Sequence, residues 1–393
     1  MSQPVIVSAA RTAIGKFQGA LSGMSAAEIG ALAFREALKR GAVPAGDIDE
    51  VILGNVVGAG VGMAPARQVA LNAGLPDTIS CYTVNKVCGS GLQAVMLAAQ
   101  SIKAGDNKAV LAGGSESMSN APFLLTKARQ GYGYGHGKLI DSLLNDGLEC
   151  CVEKWHMGNA AEHIAKRFDI SRDAADRFAL ESHKRAVAAQ SGGKFKSEIV
   201  PVEIKQKKGP PVVFDTDEGP RAESTLEKLS SLKPAFDPSG VVTAGNASSL
   251  NDGAAAVVVT SAEYASQKGL KPLARILSYA TSGVAPKDIF HAPALAVPES
   301  VKRAGLQLKD IDLFDLNEAF AVQALANVKV LEISADKVNV HGGAVALGHP
   351  LGASGARCLT TLLYAMIDRK ARYGCTALCL GGGNAVAMVI ERL

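Results

Sequence analysis

The sequence predicts an α/β protein made of two copies of one helix-and-strand unit, the first copy interrupted by a long insertion. Three observations carry this. Apolar runs of helical period alternate with short runs of strand length, four short motifs recur in order at nearly constant spacing, and a strand pair that is contiguous late in the chain is split early in it. The composition suits a large core: of 393 residues 48% are hydrophobic and 20% charged, and 41 glycines imply many tight turns and close backbone approaches.

Taken in order, "AAEIGALAFREALKRG" (26–41) has helical spacing and "EVILGNVV" (50–57) reads as a buried strand. "NKVCGSGLQAVMLAAQ" (85–100) sets a cysteine in a glycine-rich turn before a helix with apolar Leu92, Val95, Met96, Ala99 and Ile102, and "KAVLAGG" (108–114) is the next strand. The alternation predicts a mostly parallel sheet covered by helices on both faces. The second copy follows the same plan. "LKRGAVPAGDIDEVILGN" (38–55) and "VKRAGLQLKDIDLFDLN" (301–317) match at offset 263, pairing Lys39 with Lys302 and Asp47 with Asp310. Ser90-Gly91 matches Ser354-Gly355 at offset 264, and "AVLAGG" (109–114) matches "ALCLGG" (377–382) at 268. Two copies give two sheets able to share a layer of helices.

In the second copy "TALCL" and "NAVAMVI" are separated only by a glycine turn, whereas "KAVLAGG" meets its counterpart "GAAAVVVTS" only after residue 250. About 130 residues therefore interrupt the first copy. The expected division is residues 1–120 with 250–270 as the first half, 121–249 as the insertion and 271–393 as the second half. Within the insertion "GYGYGHG" reads as a flexible loop, "NAAEHIAKRF" and "RDAADRFALESHKRAVAAQ" as exposed helices and "KQKKGPP" as a polar turn, the whole forming a lid or binding domain over the core.

Several function classes are set aside. The net charge of +4, from 41 basic and 37 acidic side chains, is too small to imply nucleic-acid binding. No apolar run approaches the roughly 18 residues of a membrane helix, and the first residues carry no charged-then-apolar signal, so a cytoplasmic location is expected. The seven cysteines, odd in number and scattered, read as free thiols, and neither their spacing nor any HExxH predicts a metal. "GAGVGMAPARQ" (58–68) fails the dinucleotide fingerprint because Met63 stands where the third glycine belongs. Lys194, Lys196, Lys205, Lys207 and Lys208, diluted by Glu198 and Glu203, read as a solvated face.

The candidate chemistry is nucleophilic. Cys88, at a helix N-terminus, is placed where the dipole and free N–H groups lower a thiol pKa; the alternative is a small buried apolar residue. His349, between Gly348 and Pro350 on a rigid loop, is a base for that thiol or a turn histidine bonded to backbone. His341 lies on the same loop in a supporting position. "CLGGG" (379–383) offers a second thiol, Cys379, and N–H groups able to approach an oxyanion, or is only a hairpin. Asn317, at the end of the repeated strand, holds a water or carbonyl or caps a helix.

Together "NKVCGSGLQA", "NEAFA", "GHPLGASGAR" and "CLGGG" resemble the four active-site segments of the thiolase family, in that family's order and across essentially the whole chain. The resemblance implies a duplicated fold with two mixed sheets in a five-layer αβαβα sandwich, an inserted loop domain that binds coenzyme A and mediates tetramerisation, and a homotetramer of two tight dimers. It implies that Cys88 accepts the acyl group, that His349 activates it and that Cys379 is the acid/base for the α-carbon. One oxyanion hole would be His349 with a water on Asn317; the other would be the N–H groups of Cys88 and Gly381. The substrates implied are acetyl-CoA, acetoacetyl-CoA and CoA, with no cofactor. His156 and Met157, in "WHMGNAAEHIAKRF", and Phe320 would wall a short acyl pocket, and Leu148, Arg221, Ala244 and Ser248 would contact CoA. "IFHAPALA" (289–296) departs from the short-chain branch's "MGTGPIPA", and His341 stands where many members have Asn. The expected activity is that of an acetyl-CoA C-acetyltransferase; the alternative is a broader degradative 3-ketoacyl-CoA thiolase.

Overall fold

A computed structural model describes residues 2–393. Its first half runs β1 (Pro4–Thr12), α1 (Ala26–Gly41), β2 (Glu50–Gly54), α2 (Pro65–Asn72), β3 (Ser80–Val84), α3 (Ser90–Ala104) and β4 (Ala109–Ser117). Helices α4 (Met157–Phe168) and α5 (Arg172–Ser191) follow, and then β5 (Asn251–Ser261) completes the sheet. The second half repeats the plan with β6 (Ala274–Gly283), α6 (Pro293–Arg303), β7 (Leu313–Leu316), α7 (Ala321–Leu331), α8 (Leu351–Arg369), β8 (Tyr373–Leu380) and β9 (Asn384–Arg392).

The first-half strands lie in the order β3-β2-β4-β5-β1 and the second-half strands in the order β6-β9-β8-β7. The two sheets touch along a short seam, Val5 opposite Arg275 and Ile6 opposite Ala274, so hydrogen bonding runs continuously through both. Alternation of helices and strands predicts mostly parallel pairing, and here the structure differs. Among the strands named, β2–β3, β2–β4 and β7–β8 are parallel, whereas β1–β5, β1–β6, β4–β5, β6–β9 and β8–β9 are antiparallel. A tight turn joins β8 to β9 and makes them antiparallel, and the excursion after Ser117 brings the chain back at Asn251 beside the same end of β4, which makes β5 antiparallel to it.

Five layers result. Strand residues alternate between faces, and both faces are buried. Val51, Leu53 and Leu111 join Ile29, Phe34 and Val69 of α1 and α2 on one outer side, while Ile52 and Val110 join Leu92, Val95, Leu359 and Leu362 of α3 and α8 in the middle. Cys375, Ala377 and Val389 pack with Val297, Val301 and Leu331 of α6 and α7 on the other outer side. Glycine sets the central layer: a Cβ on Gly355 would stand 2.3 Å from the backbone nitrogen of Leu92. Helices α3 and α8 thus cross almost in backbone contact, near the ends that carry Cys88 and His349.

The repeat has a physical basis in hydrogen bonding. Asp49 accepts the N–H groups of Lys108 and Ala109 at the start of β4, and Asp312 accepts those of Arg372 and Tyr373 at the start of β8. The chain leaves the sheet after Ser117 and returns at Asn251, since β4 and β5 pair from Ser117 opposite Asp252 to Ala109 opposite Thr260. The helices of that excursion are not the exposed helices expected. Ala160, Ala161 and Ile164 of α4, with Ala175 and Ala179 of α5, bury against Phe290, Phe320 and Val322. On α5 the contact face is built of alanine, whose weak apolar signal hides the stripe in the sequence, whereas α4 is plainly amphipathic and it is the packing of its apolar face that the expectation of exposure left out.

Candidate active site

Loops following the strands converge on one cavity of about 270 Å³ lined by Cys88, His349, Cys379, Gly381, Phe320, Leu148, His156, Met157 and Ser248. Cys88 lies between β3 and α3, Phe320 follows β7, and Cys379 and Gly381 sit at the end of β8. Such placement outside the carboxyl ends of parallel strands is where α/β sheets open crevices.

The Cys88 turn is held in an unfavourable shape. Val87, β-branched, has φ of 46°. Asn85 Oδ1 accepts its N–H at 3.0 Å, and Ser90 Oγ accepts the Lys86 N–H at 2.8 Å while donating to the Val87 carbonyl at 2.6 Å. Gly89 completes the arrangement, because a Cβ there would meet the side chains of Leu380 at 2.3 Å and Val386 at 2.8 Å, which pack from β8 and β9. With β8 close, the N–H of Gly381 points at the Cys88 sulfur.

The helix position was expected to lower the Cys88 pKa; the structure reverses this. Residue Cys88 keeps some solvent contact, but its sulfur, which would carry the charge, is enclosed. Burial pushes the thiol up to about 11, outweighing the N–H groups of Gly381 and Cys88 itself. Cys379 is likewise pushed well up, first by burial and then by proximity to Cys88. His349, also buried, is pushed down to about 3 with help from the Arg357 charge. The resting site therefore holds two thiols and a neutral imidazole.

His349 is tightly fixed. Its N–H donates to Asn251 Oδ1 at 2.9 Å, its Nδ1 lies 2.6 Å from Ser354 Oγ, and its buried Nε2 has no hydrogen-bond partner among the described residues. Beneath it, Glu116 ties the halves together: its carboxylate accepts the N–H groups of Val56, Val57 and Gly352 and the Asn55 amide. Burial pushes Glu116 up to about 7 against those donors.

Asn317 is not in the cavity wall. It is buried behind Ala319 and Phe320, its Oδ1 accepting from Cys358 Sγ at 3.8 Å and its Nδ2 without a partner among the described residues. Phe320, not Asn317, occupies the cap position of α7. His156 both caps α4, its Nδ1 accepting the Gly158 N–H at 2.9 Å, and lines the cavity, stacking on Phe236 with centroids 4.7 Å apart. Arg221 and Ala244 lie in an adjoining cavity of about 250 Å³ with Lys16 and His183, which shares Ala247, Ser249 and Leu250 with the first. His341 lies outside both, buried with its ring edge-on to Phe195.

Sequence reasoning missed Phe236, Phe290, Met118 and Leu351 in the cavity wall. Nothing local distinguishes Phe236. Phe290 had a signal, since it lies in the segment that departs from the short-chain pattern; its ring meets that of Phe320 at 5.4 Å.

Comparison with known proteins agrees over the whole chain. Residues 4–263 match the family description "Thiolase, N-terminal domain" and residues 270–392 match "Thiolase, C-terminal domain". An acetyl-CoA acetyltransferase of Cupriavidus necator is 53% identical over 392 residues, and one of Escherichia coli 52% identical over 394, each covering 100% of both chains. A probable acetyl-CoA acyltransferase of Staphylococcus aureus is 48% identical over the same extent. The crystal structure of the Bacillus anthracis acetyl-CoA acetyltransferase superposes with a TM-score of 0.98 at 44% identity, covering 100% of this chain and 99% of that one.

Proposed function

This chain belongs to the thiolase family of acyltransferases, and from that footing we propose that it is an acetyl-CoA C-acetyltransferase, condensing two acetyl-CoA to acetoacetyl-CoA and CoA and running the reverse thiolysis. One observation carries the reading: Cys88 and Cys379, nearly three hundred positions apart, share a small cavity with His349.

The steps balance with these groups alone. His349 Nε2 takes the Cys88 proton, and the thiolate attacks the acetyl carbonyl, whose developing oxyanion is met by the N–H groups of Cys88 and Gly381. CoA leaves as a thiolate and takes the proton of Cys379. The site now holds acetyl-Cys88, an imidazolium and a Cys379 thiolate. A second acetyl-CoA enters, and its α-proton goes to Cys379. The enolate oxygen is held by His349 Nε2–H and by a water on Asn317 Nδ2, and the α-carbon attacks acetyl-Cys88. Cys88 leaves and recovers its proton from His349. Thiols, an imidazole and N–H groups do all the work, so the reading calls for no metal or redox cofactor.

In this reading CoA lies along Leu148 and Ser248 into the adjoining cavity with Arg221 and Ala244, within residues 121–249 as the CoA-binding and tetramerisation domain, and the acyl group faces His156, Met157 and Phe320. A cytoplasmic homotetramer belongs to the same reading; among the described residues no helix is long and apolar enough to cross a membrane. The test is thiolysis of acetoacetyl-CoA against 3-ketoacyl-CoA of eight carbons. Activity falling steeply with length is expected, and undiminished activity on the longer chain would overturn the short-chain assignment.

A further inference from the structure

We propose that Ser354 is a positioning residue that decides which ring nitrogen of His349 carries the proton, and that the second copy of the repeated serine has been turned to this use. The proposal rests on His349 acting as the base for Cys88. In the first half Ser90 braces its own turn, bonded only to the backbone of Lys86 and Val87. At the matching position in the second half, Ser354 Oγ sits 2.6 Å from His349 Nδ1 and 2.8 Å from the Pro350 carbonyl oxygen. The matching serine, first residue of α3 in one copy and fourth of α8 in the other, thus bonds backbone alone in the first and both backbone and imidazole in the second.

A serine hydroxyl has a single proton. Given to the Pro350 carbonyl, it leaves Oγ to accept an Nδ1–H, so both short contacts are hydrogen bonds and Nε2 keeps its lone pair. Given to Nδ1, it leaves the Pro350 contact without a proton and puts an N–H on Nε2. The first arrangement makes two bonds and the second makes one. Inside a buried site, where Ser354 has no exposure, the arrangement that satisfies more groups prevails. Nε2, unpartnered and lining the cavity through its ring, is then a proton acceptor in the resting enzyme. It becomes a donor only by receiving the proton of Cys88. The Nδ1–H stays on Ser354 throughout, so the imidazolium points its newly gained N–H at the substrate oxygen and its old one at the serine.

The test reads the tautomer directly. In the full chain labelled with ¹⁵N-histidine, the His349 signals, identified by their loss in His349→Gln, should show a neutral ring protonated on Nδ1. Ser354→Ala should shift the ring toward the Nε2–H form and slow acetylation of Cys88 by acetyl-CoA about tenfold or more, while Ser354→Thr, which keeps the hydroxyl, should retain the Nδ1–H form. A ring protonated on Nε2 in the unsubstituted protein would overturn the proposal, as would a Ser354→Ala protein with unchanged tautomer and acetylation rate. The measurement on the unsubstituted protein decides even where Ser354→Ala fails to fold. Because it needs no substrate, it also separates this proposal from the acetyl-transfer reading, whose failure would appear as an unsubstituted protein that takes no acetyl group.

Discussion

Titration of Cys88 tests the electrostatics of the site. A thiol at about 11, against 9.0 for an unburied one, leaves roughly one sulfur in ten thousand ionised at neutral pH. The perturbation is an alkaline titration of the protein beside its Cys88→Ala variant, followed by the ultraviolet absorbance of thiolate. The difference between the two should stay flat through neutral pH and rise only toward about 11. The same shift has a consequence for stability. The folded form holds this proton more tightly than the unfolded chain, so the contribution is fully present below about 9 and is lost as pH rises through about 11. A two-unit difference corresponds to about 3 kcal/mol. In urea unfolding, the parent protein should therefore lose about 2 kcal/mol more than Cys88→Ala between those pH values, each end of the window being a half-titration point. A difference spectrum already complete at neutral pH would mean a resting thiolate–imidazolium pair, and would refute the conclusion that burial outweighs the Gly381 and Cys88 N–H groups.

Other outcomes follow from the same geometry. Cys379→Ala should still accept acetyl on Cys88, seen as an acetyl adduct by mass spectrometry, yet form no acetoacetyl-CoA; absence of the adduct would contradict the division of roles. Glu116→Gln should cost roughly 2 to 5 kcal/mol in urea unfolding, because either orientation of the new amide aims its NH₂ at two of the four donors now bound. It should also slow acetylation, since Gly352 anchors the first turn of α8 just after His349. Gly355→Ala, with its Cβ driven against Leu92, should lower thermal stability by about 1 to 2 kcal/mol, the overpacking cost exceeding the helix-propensity gain.

The sequence by itself determined the duplication, the interruption of the first copy and the segments bearing Cys88, Asn317, His349 and Cys379. Those rest on local signals: repeated dipeptides, apolar period, and glycines where the chain must turn. Asp49 and Asp312 repeat in sequence because each performs the same task at a strand start. Tertiary structure alone decided what depends on distant neighbours. It made the sheets predominantly antiparallel, buried the apolar faces of α4 and α5, and brought Phe236 and Phe290 to the cavity. It also reversed the expected pKa of Cys88, because helix position is written in the nearest residues whereas desolvation depends on the whole enclosure around the sulfur.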